Sequence, residues 1–432
     1  SLAGAARGHG EVVALVGEAG MGKSRLVWEF THSHRVQGWT VLESTSVSYG
    51  KATAYKPLID MLRLYLRIED TDDVRSIREK VTGKLLTLDR ALEPTLPAFL
   101  TLLDVPFDNP EWQALVPSQR RHRILEACKR LLVRESQQQP VILVFEDLHW
   151  IDAESQAFLD GLIDGLANMR MLLLVNYRPE YSHEWARKSY YAHVRVDPLT
   201  AESAQELLDG LVGPNEDLQP LRQLLTDRTE GNPFFLEECV RTLVETKVLA
   251  GERGRYRLAM PLSSVQVPGR VQSLLAARID RLSAQDKQLL QTAAVVGKDA
   301  PLVLLSAVSG LAQDGLLQAL ARLQAAEFLY ETAVYPEPEF TFKHALTHEV
   351  AYAGMLQERR RAVHAQVVEA MESAYGDRLA EHVERLSQHA LRGQLWLKAL
   401  HYLKQAGDKA MGGSAVQEAV GYFEQAMTAL QQ

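Results

Sequence analysis

The sequence is poor in cysteine, in long apolar runs and in positive charge. Only two cysteines, Cys128 and Cys239, occur in 432 residues, far apart and without C-x-x-C spacing. That excludes a cysteine zinc site and suits a reducing cytosol, so a cytoplasmic protein is expected. No apolar stretch approaches the roughly 18 residues needed to span a bilayer, so no membrane role is expected. The formal net charge of −8 argues against a nucleic-acid or anionic-membrane role. The opening Ser1-Leu2-Ala3-Gly4 carries neither an initiator methionine nor a signal peptide and reads as a piece of a longer polypeptide. What is present is a core-forming composition, 46% hydrophobic and 24% charged. Its length suits about two to four domains.

The rest of the chain is arranged around one stretch. Val12–Val16 is continuously apolar, as suits a strand buried on both faces of a parallel sheet. Gly17-Glu18-Ala19-Gly20-Met21-Gly22-Lys23-Ser24 follows, and then Arg25-Leu26-Val27-Trp28 opens a helix. Strand, G-x-x-x-x-G-K-S loop and helix together form the context of a phosphate-binding loop. Gly17, Gly20 and Gly22 let successive backbone N–H groups converge on an anion, and the helix points its positive end there. Lys23 reaches the β and γ phosphates and the Ser24 hydroxyl ligates Mg²⁺. Arg25 is counted with the nucleotide-binding residues.

The chain up to His9-Gly10 reads as a short polar lead, and Trp39–Ser44 as a second strand after a helix ending near Gly38. A helical insertion over 49–139 follows, with Pro57 in the first turn of one helix and Ser118 as N-cap of another. Its basic cluster Arg120, Arg121 and Arg123 reads as a solvated face, although one arginine could face the nucleotide. Val141–Phe145 is the third strand and ends in Glu146-Asp147. Two carboxylates beyond a buried strand are costly unless they face a cation or donors. In phosphate-loop proteins the first acid holds Mg²⁺, usually through water, and the second orients the attacking water. Asp152 caps the next helix. The fourth strand, Met171–Val175, leads to Asn176-Tyr177-Arg178-Pro179 and leaves Arg178 at the carboxyl edge, where ligands bind in open α/β sheets. Arg178 either senses a γ-phosphate or makes a surface ion pair. His193–Val196 is a fifth strand.

From Thr200 the pattern is helical. Asn232-Pro233 pairs an N-cap with a first-turn proline, Gly251–Gly254 is a turn, and Pro261–Pro268 an extended linker. Helices over Val271–Leu282, Ala284–Val295 and Gly315–Ala325 precede a hairpin of 328–330 and 339–342, which suggests a winged helix. Its basic residues Arg270, Arg278, Arg281, Lys287, Lys298, Arg322 and Lys343 are outnumbered by Asp280, Asp286, Asp299, Asp314, Glu327, Glu331, Glu337 and Glu339. Tight duplex binding needs a basic face, so this module reads as mechanical. Farther on, Arg359-Arg360-Arg361 reads as a solvated face. Ala419, Phe423 and Ala426 fit the second helix of a tetratricopeptide unit, and Leu403, Gly407 and Ala410 the first. Trp396, Ala399 and Tyr402 are assigned to an earlier, degenerate pair.

With the loop, Glu146-Asp147-Leu148-His149-Trp150-Ile151-Asp152 and Tyr177-Arg178-Pro179 in place, the chain resembles the STAND class of signal-transduction ATPases. The branch it resembles is the bacterial module fused to adenylate/guanylate cyclases or found in large transcription activators. The likeness extends to Ser48-Tyr49-Gly50, Gly231–Phe235, Phe342–Leu346 and the helical repeats. It implies an α/β P-loop NTPase with a parallel five-stranded sheet, an extra strand lying between the loop strand and the acidic strand. An all-α lid, a winged helix and α-helical repeats would follow. The implied boundaries are 1–200, 201–262, 263–354 and 355–432, the last being an array left part-way. The resemblance places Pro233 near the adenine and makes His344 the nearest candidate for a β-phosphate contact. Glu146 precedes Asp147 where many members have Asp first, which leaves open which acid serves Mg²⁺ and which serves water. The implied function is an ATP/ADP switch with slow hydrolysis. An inducer or protein partner is expected on the repeats, and a cyclase or DNA-binding output domain outside these residues. An origin-recognition-like ATPase gripping DNA, or a nucleotide-bound scaffold without turnover, are the alternatives.

Overall fold

The computed structural model describes residues 2–46, 53–69, 71–261, 268–333 and 338–432. Ser48-Tyr49-Gly50, most of the 261–268 linker and the tip of the later hairpin fall outside them. The chain divides into two compact units.

One unit comprises Ser1–Val16, Ser24–Arg195 and Met371–Gln432. It holds strands β1 (Glu11–Val16), β2 (Thr40–Thr45), β3 (Val141–Glu146), β4 (Met171–Tyr177) and β5 (Tyr191–Arg195). They form one parallel sheet in the order β2-β3-β4-β1-β5, so β4 does lie between the loop strand and the acidic strand. Val141–Phe145 are fully buried, as their unbroken apolar run requires. Between β2 and β3 run the helices Lys56–Leu66, Val74–Leu88, Leu96–Leu102, Pro110–Gln113 and Pro117–Gln138.

Several local expectations are corrected. Leu2–Ala6 is a short helix, with Ala5 buried and the Ala6 carbonyl accepting from Arg170 Nε at 3.1 Å. The helix after the loop stops at Thr31, well before Gly38, and a 3₁₀ turn over His34–Val36 follows. Val116, and not Ser118, occupies the N-cap of Pro117–Gln138, because Pro117 takes the first helical position. Arg121 pairs at 2.6 Å with Glu154, a carboxylate only 2% exposed, so that member of the basic cluster is not simply solvated.

The same unit ends in helices Val383–Arg392, Trp396–Gly412 and Val416–Leu430. Trp396, Ala399 and Tyr402 share one helix with Leu403, so they do not form an earlier pair. The last two helices meet closely: a Cβ on Gly407 would lie 2.6 Å from the Phe423 ring. Ala399, Leu403 and Ala406 on one side and Ala419, Tyr422 and Ala426 on the other are buried.

The other unit comprises Gly17–Lys23 and Val196–Ala370. Helices Ala201–Val212, Gln219–Thr229 and Pro233–Glu245 enclose a core of Leu208, Leu221, Leu225, Leu236 and Leu243. Around the glycine turn is a full antiparallel hairpin, β6 (Leu249–Glu252) with β7 (Arg255–Leu258). Helices Val271–Asp280 and Ala284–Val296 precede β8 (Asp299–Pro301), and helices Leu302–Ser309 and Gln313–Ala325 precede β9 (Leu329–Ala333) and β10 (Glu339–Phe342). The three strands pair antiparallel in the order β8-β10-β9. The hairpin was expected; β8 and helix Leu302–Ser309 were not. Helix Ala345–Ala353 follows.

Charged side chains bind these helices together. Arg278, whose side chain is 1% exposed, pairs with Glu238 and Glu245, donates to the Ala326 carbonyl at 3.1 Å and lies 4.6 Å from the Phe328 ring centre. Arg241 pairs with Glu238 and Glu327, and Lys343 with Glu327. Removing one partner of a buried pair strands the other charge, whereas replacing both with apolar side chains does not. Arg278→Ala is expected to cost about 3–5 kcal/mol in urea unfolding. Joint replacement Arg278→Met with Glu238→Leu should recover most of it, and a loss below about 1 kcal/mol for the single change would mean that water reaches the pair.

Candidate functional site

The loop leaves β1 after Val16 and ends where helix Lys23–Thr31 begins. Gly20 and Gly22 have φ of +83° and +86°, a backbone region that side chains with a Cβ avoid. Lys23 is 8% exposed, and its ammonium donates to the carbonyls of Gly17 at 2.7 Å and Glu18 at 2.9 Å. The loop is thus curled around its own lysine.

A second segment lies on this loop. Asn232 Nδ2 donates to the Ala19 carbonyl at 3.2 Å, and the Phe234 N–H to the Gly20 carbonyl at 3.3 Å. A Cβ on Gly20 would sit 3.0 Å from Asn232 Oδ1 and 3.1 Å from Phe234 Cβ. Asn232 Oδ1 also accepts from the Phe235 N–H at 3.0 Å, capping helix Pro233–Glu245 as its sequence indicates. Pro233 therefore stands between two residues that touch the loop. Behind them the His344 ring contacts Phe234 with centroids 4.2 Å apart, beside Leu275 and Leu346. Burial, with Lys343 and Arg241 nearby, pulls the imidazole's pKa down to about 4, so His344 is neutral at pH 7.

The acidic pair is built by the other unit. Glu146 ends β3, and Asp147 follows with φ +56°, a left-handed conformation uncommon for a non-glycine residue. Asn176 on β4 is fully buried and holds both. Its Nδ2 donates to Glu146 Oε2 at 2.8 Å, and its Oδ1 accepts from the Asp147 N–H at 2.8 Å. Sequence reasoning passed over Asn176, although a polar residue inside an apolar central strand must find partners. Arg178 follows Tyr177, the last β4 residue, which pairs in register with Val16. Asp152 caps helix Ala153–Gly165 as expected, and its Oδ1 also accepts from the Tyr55 N–H at 2.9 Å. Ser24 and Arg25 are exposed in the first turn of Lys23–Thr31, and Arg25 pairs with Glu29.

Of the expected site residues, one unit thus groups Gly17, Gly20, Gly22 and Lys23 with Pro233 and, through Phe234, His344. The other groups Glu146 with Asp147 and places Arg178 two residues beyond Asn176.

Residues 1–175 match the family model of the AAA ATPase domain. Residues 200–257 match a domain of unknown function. An uncharacterized protein of Rhizobium meliloti (strain 1021) is 24% identical over 424 residues, 97% of this chain. The chain spans 40% of the length of that curated relative. Among solved structures, a STAND protein with a tetratricopeptide repeat sensor from Pyrococcus horikoshii shares the fold. Its TM-score is 0.50 at 13% identity, covering 100% of this chain and 57% of that one. A Drosophila ORC–DNA structure has a TM-score of 0.27 at 11% identity, covering 79% of this chain and 89% of that one.

Two outcomes follow from the site itself. Asn176→Leu keeps the branched shape but leaves the Asp147 N–H and the inner Glu146 oxygen without that partner, so urea unfolding should show a loss of about 1–3 kcal/mol. His344 binds a proton less readily in the folded than in the unfolded chain. Its share of stability is therefore complete above the ordinary imidazole range and is lost as pH falls through that range toward about 4. His344→Phe should lose less stability than the parent between pH 7 and 5, and equal slopes would show that the ring already charges freely in the fold.

Proposed function

We propose that this chain is the ATP-binding, slowly hydrolysing switch of a bacterial signalling or transcription-control protein of the STAND class. The observation that carries the reading is the seating of Asn232 and Phe234 on the Ala19 and Gly20 carbonyls. A lid helix that starts on the phosphate loop feels whatever the loop holds.

The residues present fit MgATP. The loop offers backbone N–H groups and a lysine to phosphates, and Ser24 and Glu146 offer the hard oxygens that Mg²⁺ prefers. Among the described residues no cluster of three or more His, Cys, Asp or Glu could hold a metal by itself. In this reading the ion is taken up on one carboxylate, a hydroxyl and substrate phosphates. Bound Mg²⁺ would neutralise charge on the phosphates. In this reading Lys23 and the loop amides bind the phosphates, Glu146 serves the metal through water, Asp147 orients the attacking water, and Arg178 reads the γ-phosphate. Asn176 holds the two acids apart and aimed, Pro233 packs beside adenine, and His344 backs the loop through Phe234.

The module boundaries follow the same reading: 1–200 for the ATPase with its 49–139 insertion, 201–262 for the lid, 263–354 for a winged helix and 355–432 for repeats. Three helices with the β8-β10-β9 sheet support the winged helix. The tight Gly407–Phe423 contact supports tetratricopeptide-like pairing, and a protein or inducer on that surface would bias the switch. Among the described residues no single helix is long and apolar enough to cross a membrane.

The test is nucleotide binding and turnover by the full chain. Lys23→Ala should weaken MgATP binding at least tenfold, as expected for losing a charge-assisted contact. Asp147→Asn should bind MgATP as the parent does and lose its slow hydrolysis. A parent that binds without any turnover would make the chain a nucleotide-held scaffold, and fast constitutive hydrolysis would remove the switch.

A further inference from the structure

Arg178 stands at the start of a loop that packs around one imidazole. β4 ends at Tyr177, and the chain returns through residues 178–190 to β5. The Arg178 carbonyl accepts from the Tyr181 N–H at 3.0 Å, closing a turn over Pro179. The far side of the turn is fixed to helix Ala153–Gly165, where the Tyr181 hydroxyl bonds to Gln156 and Trp185 Nε1 to Asp160 Oδ1 at 2.7 Å. Trp185 and Tyr177 are buried, at 3% and 5% exposure. Between them stands His183, stacked on Trp185 with centroids 4.5 Å apart.

The bonds of His183 fix its tautomer. The Trp185 backbone N–H points to Nδ1 at 3.1 Å, and an N–H can only donate, so Nδ1 carries the lone pair. The ring proton is then on Nε2, which donates to the Tyr177 hydroxyl at 2.6 Å and lies 3.2 Å from that of Tyr191. Tyr177 and Tyr191 are joined at 2.7 Å, so the network crosses from β4 to β5. A second proton could go only on Nδ1, where it would face the Trp185 N–H, donor against donor. The titratable groups facing the ring are Asp160 on the helix, Tyr177 on β4, Tyr191 on β5 and Tyr181 in the loop itself. Asp160 favours the charged ring, but burial outweighs it and the pKa lies below the ordinary imidazole value.

We propose that His183 is a positioning residue for Arg178: the neutral ring, held between the Trp185 N–H and the Tyr177 and Tyr191 hydroxyls, fixes the turn that presents the arginine, and protonation releases it. This rests on the reading of Arg178 as the γ-phosphate sensor. The γ-phosphate is what separates ATP from ADP, so the ratio of their affinities reports on Arg178. A loop that merely holds the domain together would move both affinities alike.

The experiment measures MgATP and MgADP binding to the full chain between pH 8 and 5.5. Arg178→Ala should cut the preference for ATP over ADP about tenfold. His183→Ala should cut it roughly fivefold at pH 7.5 and add nothing in the Arg178→Ala background. The parent's preference should start to fall at the acid end of this window, below the ordinary imidazole value, and His183→Ala should not follow. His183→Gln, whose amide nitrogen can replace Nε2–H, should keep most of the preference with a flat pH profile. It also serves if the alanine variant fails to fold by circular dichroism. Additive losses, or a parent pH profile unchanged in His183→Gln, would overturn the proposal while leaving the sensor standing. An unmoved ratio in Arg178→Ala would remove the sensor and the proposal with it.

Discussion

A carboxamide carries a donor and an acceptor on one rigid plane, and two asparagines use both to hold the functional segments. Asn232 accepts from its own helix at Phe235 and donates to the phosphate loop at Ala19. Asn176 accepts from the Asp147 N–H and donates to the Glu146 carboxylate. Each satisfies backbone groups that would otherwise be costly to leave unpaired. In each, a helix start or strand end is fixed relative to chemistry that lies elsewhere in the sequence. The loop Gly17–Lys23 groups with Val196–Ala370.

What could be read from sequence was what is decided locally. The β1 and β3 strands, the glycine loop, and the Asp152 and Asn232 caps each depend on neighbours within a few residues, and each stands as expected. The missed features depend on distant ones. β8 is three residues long and exists through pairing with Phe340 and a 2.7 Å bond from Thr341 Oγ1 to Asp299. Helix Leu302–Ser309 is eight residues of mostly apolar side chains, too short to show a period, with Leu304 and Leu305 fully buried. Asn176 was visible, but its two partners lie 29 and 30 residues away. The roles of Pro233 and His344 rest on resemblance, and that of Arg178 on its place at the carboxyl edge of the sheet; the contacts of Phe234 and Asn176 had no local signal.

Ion pairing in the 263–354 region also bears on duplex binding. Of the basic residues counted in the 263–354 region, Arg278, Lys287, Arg322 and Lys343 are held in ion pairs with Glu238 and Glu245, Asp280, Asp286 and Glu327 respectively. A cation already committed to a carboxylate releases no phosphate counterion unless that pair is broken. Arg278 ties helix Pro233–Glu245 to Val271–Asp280, and Arg241 with Glu327 and Lys343 ties it to the end of β10. They make these elements one mechanical piece, as a switch needs if a change at the loop is to travel.

In the switch proposed above, the energetics place a demand on the residue that reads the γ-phosphate. Moving an equilibrium from 1:99 to 99:1 takes about 5.5 kcal/mol of differential binding, and a hydrogen bond to a charged group contributes roughly 1.5–3 kcal/mol. Lys23 already donates to the carbonyls of Gly17 and Glu18, so a phosphate would displace bonds that exist, and that cost is subtracted from what the lysine contributes. ADP and ATP, moreover, share the β-phosphate that the loop would grip in this reading. The difference between them must therefore come from groups that meet the γ-phosphate alone, and Arg178 is the candidate that β4 brings to the carboxyl edge. An arginine on a free loop would lose much of its gain to the entropy of fixing it. The Tyr177–His183–Tyr191 network removes that cost before any nucleotide arrives, which is why the packing around a half-buried histidine bears on what the phosphate loop can signal.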